Sequence, residues 1–456
     1  MNPAWTIKGF LEIEDDVLHI DGVSAQKLAE NHDTPLFVFS KNRIRNNINH
    51  LLSIQDVIDC TLKVCYAAKA NSHHKILVAI KDSGSDIEVN SGGELKMALK
   101  AGFKPKQIIF NGNSKTEKEL SAAIQAGIYA IQSDSLYELE LTEKIAKNLG
   151  KRANVSLRLV PEIESKTLHG LQTALLTSKF GMMPEEALEA FSRWSPEDKH
   201  MKLRGIHLHI GSQNPKSEPY SQAFLALFNN LVRIFEKTGH KLDHLNLGGG
   251  FPVNYLRDDS NAEDIAQSQK ELFSADLDPR EVVGNAWKLV KESARKAAAL
   301  HLLKDIELLI EPGRSIIADA GVCITRVRNK KERPIKTTEK PERPEAYMQP
   351  AKDTWLLTDA GFNILLSMET YKWYYHLVSV ERAGKPHKTP YKVAGPLCDG
   401  GDVYFDIEGK NRLPNYRLLP DKIEVGDVLA LFNCGAYSVS QMFPYNGREL
   451  PDIILL

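Results

Sequence analysis

Cysteine is scarce in this chain and nowhere paired. The five cysteines, Cys60, Cys65, Cys323, Cys398 and Cys434, are odd in number and scattered, without a CxxC spacing. That argues against a disulfide scaffold or a thiolate zinc site, and no metal is expected. Net charge is almost absent, with 58 Lys and Arg against 59 Asp and Glu. No global field therefore favours nucleic acid or an anionic membrane as a partner. No apolar run approaches the ~18 residues of a membrane span. The start, MNPAWTIKGFLEIEDD, lacks a basic region followed by an apolar stretch. No secretion signal is expected, and a reducing cytoplasmic setting fits. The GxxxxGK[ST] phosphate loop is missing as well. What is present is ordinary: 42% hydrophobic residues in a chain of 456. That length exceeds a single typical core, and two domains are the default.

The rest of the chain is organised around residues 62–72, LKVCYAAKANS. A short apolar run bounded by polar residues predicts a buried strand, with Lys69 at its C-terminal end. A buried strand has no use for a solvated ammonium. Either Lys69 leaves the core for water, or it is a Schiff-base lysine. A partly desolvated amine loses its proton more easily and can bond covalently to an aldehyde cofactor. The choice turns on whether the chain also supplies a phosphate cradle, an acid for a pyridine nitrogen and a ring-stacking residue.

Strands are predicted at 35–40, 62–68, 86–89, 107–111, 130–133, 154–160, 203–210, 244–247 and 307–310, separated by helical stretches. Strands alternating with helices at this spacing mean βαβ units and a parallel sheet. About eight repeats over about 280 residues match a (β/α)8 barrel, with a doubly wound open sheet as the alternative. The pattern changes after Glu311, where strand-like segments at 315–317, 322–327, 354–358 and 425–431 follow without long helices. The expected organisation is a barrel over 35–314 and a β-rich domain over 315–456. The N-terminal segment, 1–34, has a strand at 17–20 that packs with the β-domain. Residues 328–352, rich in proline and charge, read as a solvated mobile loop, with docking as the alternative.

A barrel of this kind carries its chemistry at the C-terminal ends of its strands. HLHIGSQ places His209, Gly211, Ser212 and Gln213 there. His209 is either an ordinary core histidine or a ring-stacking one, and the Ser212 hydroxyl can donate to a phosphate. Gly248, Gly249 and Gly250 let backbone N–H groups converge on an anion, although many loops contain such a turn. Glu311-Pro312-Gly313-Arg314 ends the last strand. Its carboxylate can hold a proton on a pyridine nitrogen, and its guanidinium can reach a phosphate or carboxylate. A surface Glu–Arg pair is the plain alternative.

Together these elements compose a pyridoxal phosphate site. The motifs YAAKAN (66–71), SGGE (91–94), SKFG (178–181), HIGSQ (209–213), GGGFP (248–252), EPGR (311–314), CDGGD (398–402) and GAY (435–437) follow one another in this order. The chain resembles fold-type III decarboxylases, the diaminopimelate/ornithine decarboxylase family, over nearly its whole length. The resemblance implies an alanine-racemase-like barrel with a C-terminal β-domain. It implies pyridoxal 5'-phosphate held by Lys69, with His209 stacked on the ring and Glu311 paired with its nitrogen. Ser212, Gly248 to Gly250, Gly313, Arg314 and Tyr437 would surround the phosphate. It also implies a head-to-tail homodimer with shared sites, in which Cys398 of a second subunit helps place the proton. Losing CO2 from an amino acid leaves a carbanion that a protonated pyridinium can take up. Racemases of this fold place an Arg opposite that nitrogen, so Glu311 favours decarboxylation over racemisation.

The sequence departs from the diaminopimelate pattern at one point. After Asp359-Ala360-Gly361-Phe362-Asn363, Ser367 stands where that family carries an Arg for the distal end of the substrate. A distal carboxylate would lose a charge-assisted partner worth about 1.5–3 kcal/mol. Cys398-Asp399-Gly400 resembles ornithine decarboxylases, where the Asp meets a distal amine. Asp399, Asp359, Arg314 and Tyr371 are the candidate substrate-binding residues. The neighbouring aromatics Trp373, Tyr374 and Tyr375 are expected to pack. The expected substrate carries a distal amine or larger polar group: D- or L-ornithine, D- or L-lysine, or an amino-acid conjugate of a siderophore or other specialised pathway. The alternatives are meso-diaminopimelate, racemisation, and an inactive homologue that binds a partner, against which Lys69 and Cys398 argue.

Overall fold

The computed structural model describes residues 3–160, 163, 167–168, 177–258, 264–335 and 352–456. The chain divides into two compact units. One comprises Arg45–Pro252 and Asp276–Ile316; the other comprises Met1–Ile44, Val253–Ala275 and Ile317–Leu456.

The first unit is a closed parallel barrel with strands in chain order: Thr61–Ala67, Asp86–Val89, Ile108–Phe110, Ala130–Ser133, Ala153–Arg158, Met201–His207, His244–Asn246 and Glu307–Ile310. The last strand pairs with the first, Glu307 opposite Thr61, and closes the ring. The strands are short because their residues are buried on both faces, which apolar runs of three to seven residues satisfy. Cys65, Ile109, Tyr129, Ala130 and Leu309 form one buried cluster of this unit. The intervening helices begin where the sequence caps them. Thr116 and Glu119 make a reciprocal capping box, and Ser91 and Ser135 each accept a first-turn N–H.

The second unit is built on a sheet of order Leu377–Ser379, Val428–Leu431, Gly321–Pro334, Lys352–Thr358, Thr389–Ala394, Arg417–Leu419. Its buried core includes Trp5, Phe10, Leu18, Val322, Val378 and Phe432, so the N-terminal segment is part of it.

Three expectations change. The strand Leu36–Phe39 does not open the barrel; it lies antiparallel to Gly321–Pro334 and parallel to Asp452–Leu455 in the β-rich unit. All four of its residues are buried, so its sequence has no polar face to reveal which sheet it joins. Residues 328–334 are not loop but the exposed end of Gly321–Pro334, with Arg333 opposite Asp353 across the ladder; 336–351 lie outside the described residues. Residues 315–317, read as strand, belong to the helix Arg314–Ile317. The insert after Asp258 contains the helix Gln267–Phe273, and 259–263 lie outside the described residues.

Candidate active site

Glu311 follows directly on the Glu307–Ile310 strand and is buried in the barrel unit. Asn246 donates to its Oε1 at 2.7 Å and Asn111 to its Oε2 at 2.9 Å. His207 Nε2 lies 3.3 Å from Oε2, in ion-pair range without the alignment of a hydrogen bond. Burial alone would raise the Glu311 pKa. The adjacent His207 ring, the Asn246 amide and the Lys69 charge outweigh it and hold the carboxyl well below its ordinary range. A permanently charged carboxylate, buried and steered by two amides, suits a protonated ring nitrogen.

The Asn111 amide also donates to Glu88 Oε1 at 2.8 Å. Glu88 is buried, and its Oε2 has no hydrogen-bond partner. Its pKa is raised by burial, opposed by the Lys69 charge and reinforced by that of Glu311. Two carboxylates thus share one amide and are pushed in opposite directions, a pattern that marks functional clusters.

Lys69 leaves the core just after the strand Thr61–Ala67, within the turn Ala68–Ala70. Its neighbours Ala68 and Ala70 are buried while Lys69 is exposed. Its charge acts on Glu88, Glu94, His207, His209 and Glu311. Tyr66 braces the turn by donating to the Asn71 carbonyl at 3.0 Å.

His209 lies two residues past the strand Met201–His207, and its Nδ1 accepts from the Gly249 N–H at 3.1 Å. The neutral ring therefore carries its proton on Nε2. Burial, then the Lys69 and Arg158 charges, lower its pKa well below the ordinary value, so it stays neutral. Gly249 must be glycine: a Cβ there would sit 2.2 Å from the Glu311 carbonyl oxygen. Ser212 accepts from Arg314 Nε at 3.3 Å, and Arg314 is buried. A buried guanidinium, a hydroxyl and a glycine turn make a donor set for a phosphate. With the Lys69 amine and Glu311, these residues fit pyridoxal phosphate.

The barrel unit thus brings together Lys69, His209, Ser212, Gly248, Gly249, Gly250, Glu311, Gly313 and Arg314. It adds Asn111, Asn246, His207, Glu88 and Arg158, which the sequence reading did not name. Arg158 is buried with its guanidinium 4.2 Å from the centre of the Phe180 ring. The signal for these residues was a polar side chain inside or just after an apolar strand, which needs a partner when buried.

The β-rich unit carries the others. Cys398 is the exposed cysteine among the five, all of which are free. Asp399 is exposed on the same turn. Tyr437 has a left-handed backbone, φ +59°, which a bulky residue rarely adopts. Tyr371 is 37% exposed, whereas Trp373, Tyr374 and Tyr375 are buried. Asp359, which the sequence places among the substrate readers, is occupied elsewhere. Its carboxylate accepts from Thr325 Oγ1 at 2.6 Å, the Arg326 N–H at 3.0 Å, Thr34 Oγ1 at 2.7 Å and Arg328 Nε at 2.7 Å. Those bonds use both oxygens to hold its own unit together and leave none for an incoming amine.

Residues 44–318 match the pyridoxal-binding domain of the pyridoxal-dependent decarboxylases. The diaminopimelate decarboxylase of Methanocaldococcus jannaschii is 32% identical over 451 residues, 98% of this chain and 91% of that protein. The enzyme of that name from Bacillus subtilis is 31% identical over 448 residues, 96% of this chain and 90% of that one. The crystal structure of the M. jannaschii enzyme superposes with a TM-score of 0.79, covering 98% of this chain and 92% of that one at 31% identity. The same enzyme was also solved with L-lysine. A lysine/ornithine decarboxylase from Vibrio vulnificus, 20% identical with a TM-score of 0.69, shares the fold. A match over the whole length, joined to a barrel rim that fits the cofactor, places the chain in the fold-type III pyridoxal-dependent decarboxylases, as a pyridoxal-phosphate-dependent amino-acid decarboxylase.

Proposed function

We propose that this chain removes CO2 from meso-diaminopimelate. The observation that carries the substrate is the end-to-end match, 32% identity over 98% of the chain, to a diaminopimelate decarboxylase. The M. jannaschii enzyme solved with L-lysine supports the same reading, because L-lysine is diaminopimelate less one carboxylate. The buried Glu311 supports decarboxylation over racemisation, since a charged acid holds a proton where an electron sink is needed.

Pyridoxal phosphate, when bound, supplies an aldehyde for the amine and a ring that takes up the electron pair left when CO2 departs. Lys69 would hold it. Ser212, Gly248 to Gly250, Gly313, Arg314 and Tyr437 would hold its phosphate. Glu311, oriented by Asn111 and Asn246, would keep the ring nitrogen protonated. His209, kept neutral by burial, would lie against the ring. Cys398 would supply a proton to the α-carbon in place of the lost carboxylate, and Asp399 and Tyr371 would meet the distal end of the substrate. We place Cys398 in the site of a second copy of the chain, within a cytoplasmic homodimer, a placement supported by the family resemblance and the exposed thiol. Mixing Lys69→Ala with Cys398→Ala protomers tests this, because a hybrid regains turnover only if the site is shared.

One observation favours a second reading, a diamino monocarboxylate such as ornithine or lysine. Ser367 replaces the arginine expected for a distal carboxylate. Lys372, five residues on, is buried and paired with Glu369 at 2.7 Å. CO2 release is measured on meso-diaminopimelate and on both enantiomers of ornithine and lysine, with Lys69→Ala as the control. Turnover of meso-diaminopimelate at least about tenfold above the rest, equivalent to about 1.4 kcal/mol, supports the first reading. The reverse order overturns it in favour of the second.

A further inference from the structure

Cys398 and Asp399 share an exposed turn, and three sets of contacts within the same unit tie that turn down. Asp402, 2% exposed, is the first anchor. Its Oδ2 accepts the Leu397 N–H at 2.8 Å, just before the turn, and its Oδ1 accepts the Phe362 N–H at 2.9 Å. One carboxylate thus joins residues 359–363 to residues 395–402. The second anchor comes from the C-terminal segment. Asn446 Oδ1 accepts the Cys398 N–H at 2.8 Å, and Arg448 Nη2 donates to the Pro396 carbonyl at 2.9 Å. The third is aromatic: Phe362 lies 6.4 Å from Phe443 and 6.0 Å from Tyr445, and the Phe443 N–H donates to the Asn363 carbonyl at 3.0 Å. Asp399 closes the turn: its Oδ1 accepts the Gly401 N–H at 2.9 Å, and its Oδ2 accepts from the Tyr445 hydroxyl at 3.4 Å.

Asn446 is the member with a direct hold on the residue that matters. Its backbone is left-handed, φ +54° and ψ +22°, a conformation asparagine tolerates better than most residues. That backbone turns the carboxamide back onto Cys398. The bond is exposed, so its loss lets water satisfy the Cys398 N–H at little cost in stability while freeing the thiol to move.

We propose that Asn446, with Asp402 behind it, is a positioning residue that fixes where the turn presents the Cys398 thiol and the Asp399 carboxylate. This rests on the reading that these two groups meet the substrate. Asn446→Gly keeps the left-handed backbone and removes only the carboxamide; Asn446→Asp keeps an acceptor. The first readout is the rate at which 5,5'-dithiobis(2-nitrobenzoate) modifies Cys398 in the cofactor-loaded enzyme. The other four cysteines are buried, and Cys398→Ser identifies the fast phase. Asn446→Gly is expected to change that rate at least about fivefold and to lower kcat/KM about tenfold, with an unchanged melting temperature. Asn446→Asp is expected to restore the labelling rate. Asp402→Asn, which removes one of the two acceptors of the bracket, moves the rate the same way and serves if the glycine variant yields little folded protein. A labelling rate for Asn446→Gly within about twofold of the parent overturns the proposal whatever happens to turnover. A changed labelling rate with unchanged kcat/KM upholds the tether and overturns instead the role given to Cys398.

Discussion

At the scale of single residues, the site is a problem in placing charge. Glu311 and Glu88 share the Asn111 amide, yet burial wins at Glu88 and loses at Glu311. The difference lies in how many donors each receives. Glu311 has Asn246, Asn111 and the nearby His207, whereas one oxygen of Glu88 has none. Replacing Glu311 by Gln keeps the volume but turns an amide NH2 against one of the two asparagine amides. The expected loss is about 100- to 1,000-fold in kcat, as for other charge-stabilising groups preorganised at a reacting centre. Steady-state CO2 release on the Glu311→Gln enzyme checks it, and a fall under tenfold would remove Glu311 from the mechanism.

At the scale of the element, the barrel depends on places where two backbones meet closely. The ladder between Ala153–Arg158 and Met201–His207 shifts register between Leu203 and Gly205. At that shift a Cβ on Gly205 would lie 2.4 Å from His244 Cδ2 and 2.5 Å from the His244 carbonyl oxygen. The carbonyl belongs to the next strand and cannot yield. His244 is itself held, with Nε2 3.0 Å from Ser156 Oγ and Nδ1 3.3 Å from the Tyr129 hydroxyl. Gly205→Ala is therefore expected to destabilise the protein by about 1–3 kcal/mol through overpacking. A urea unfolding midpoint equal to that of the parent would show that the strand can shift to make room.

At the scale of the whole molecule, several histidines are buried in the neutral form, in both units. Burial lowers the pKa of His244 to about 3, with the Arg204 charge adding to it. His376 is lowered for the same reason, with Asp258 opposing. The unfolded chain takes up protons near pH 6.5 that the native state refuses until lower pH. The stability that these histidines contribute is therefore present above pH 6.5 and falls as pH drops below it. His244 alone contributes a loss of about 2 kcal/mol between pH 6.5 and 5, at 1.36 kcal/mol per unit. The change in urea midpoint from pH 7 to pH 5 should be less unfavourable in His244→Asn than in the parent, and an identical change in the two would remove His244 as a source of pH dependence. The chain's order of strands and helices, and the residues Lys69, His209, Glu311 and Arg314 at strand ends, were legible in the sequence. Hydrophobic period and strand-end position are local properties, and a barrel turns the second into proximity. The strand Leu36–Phe39 was not legible, because a run buried on every side does not say which sheet receives it. Nor was the fate of Asp359, identical in the sequence to a substrate-reading carboxylate until Thr34, Thr325, Arg326 and Arg328 are folded around it. Asn111, Asn246 and Glu88 are single polar residues whose partners lie on other strands. The sequence by itself determined which chemistry the chain carries, since that depends on residue types at strand ends. Only the tertiary structure decided which carboxylates are charged and which are already taken, since burial and hydrogen-bond donors arrive from residues up to hundreds of positions away.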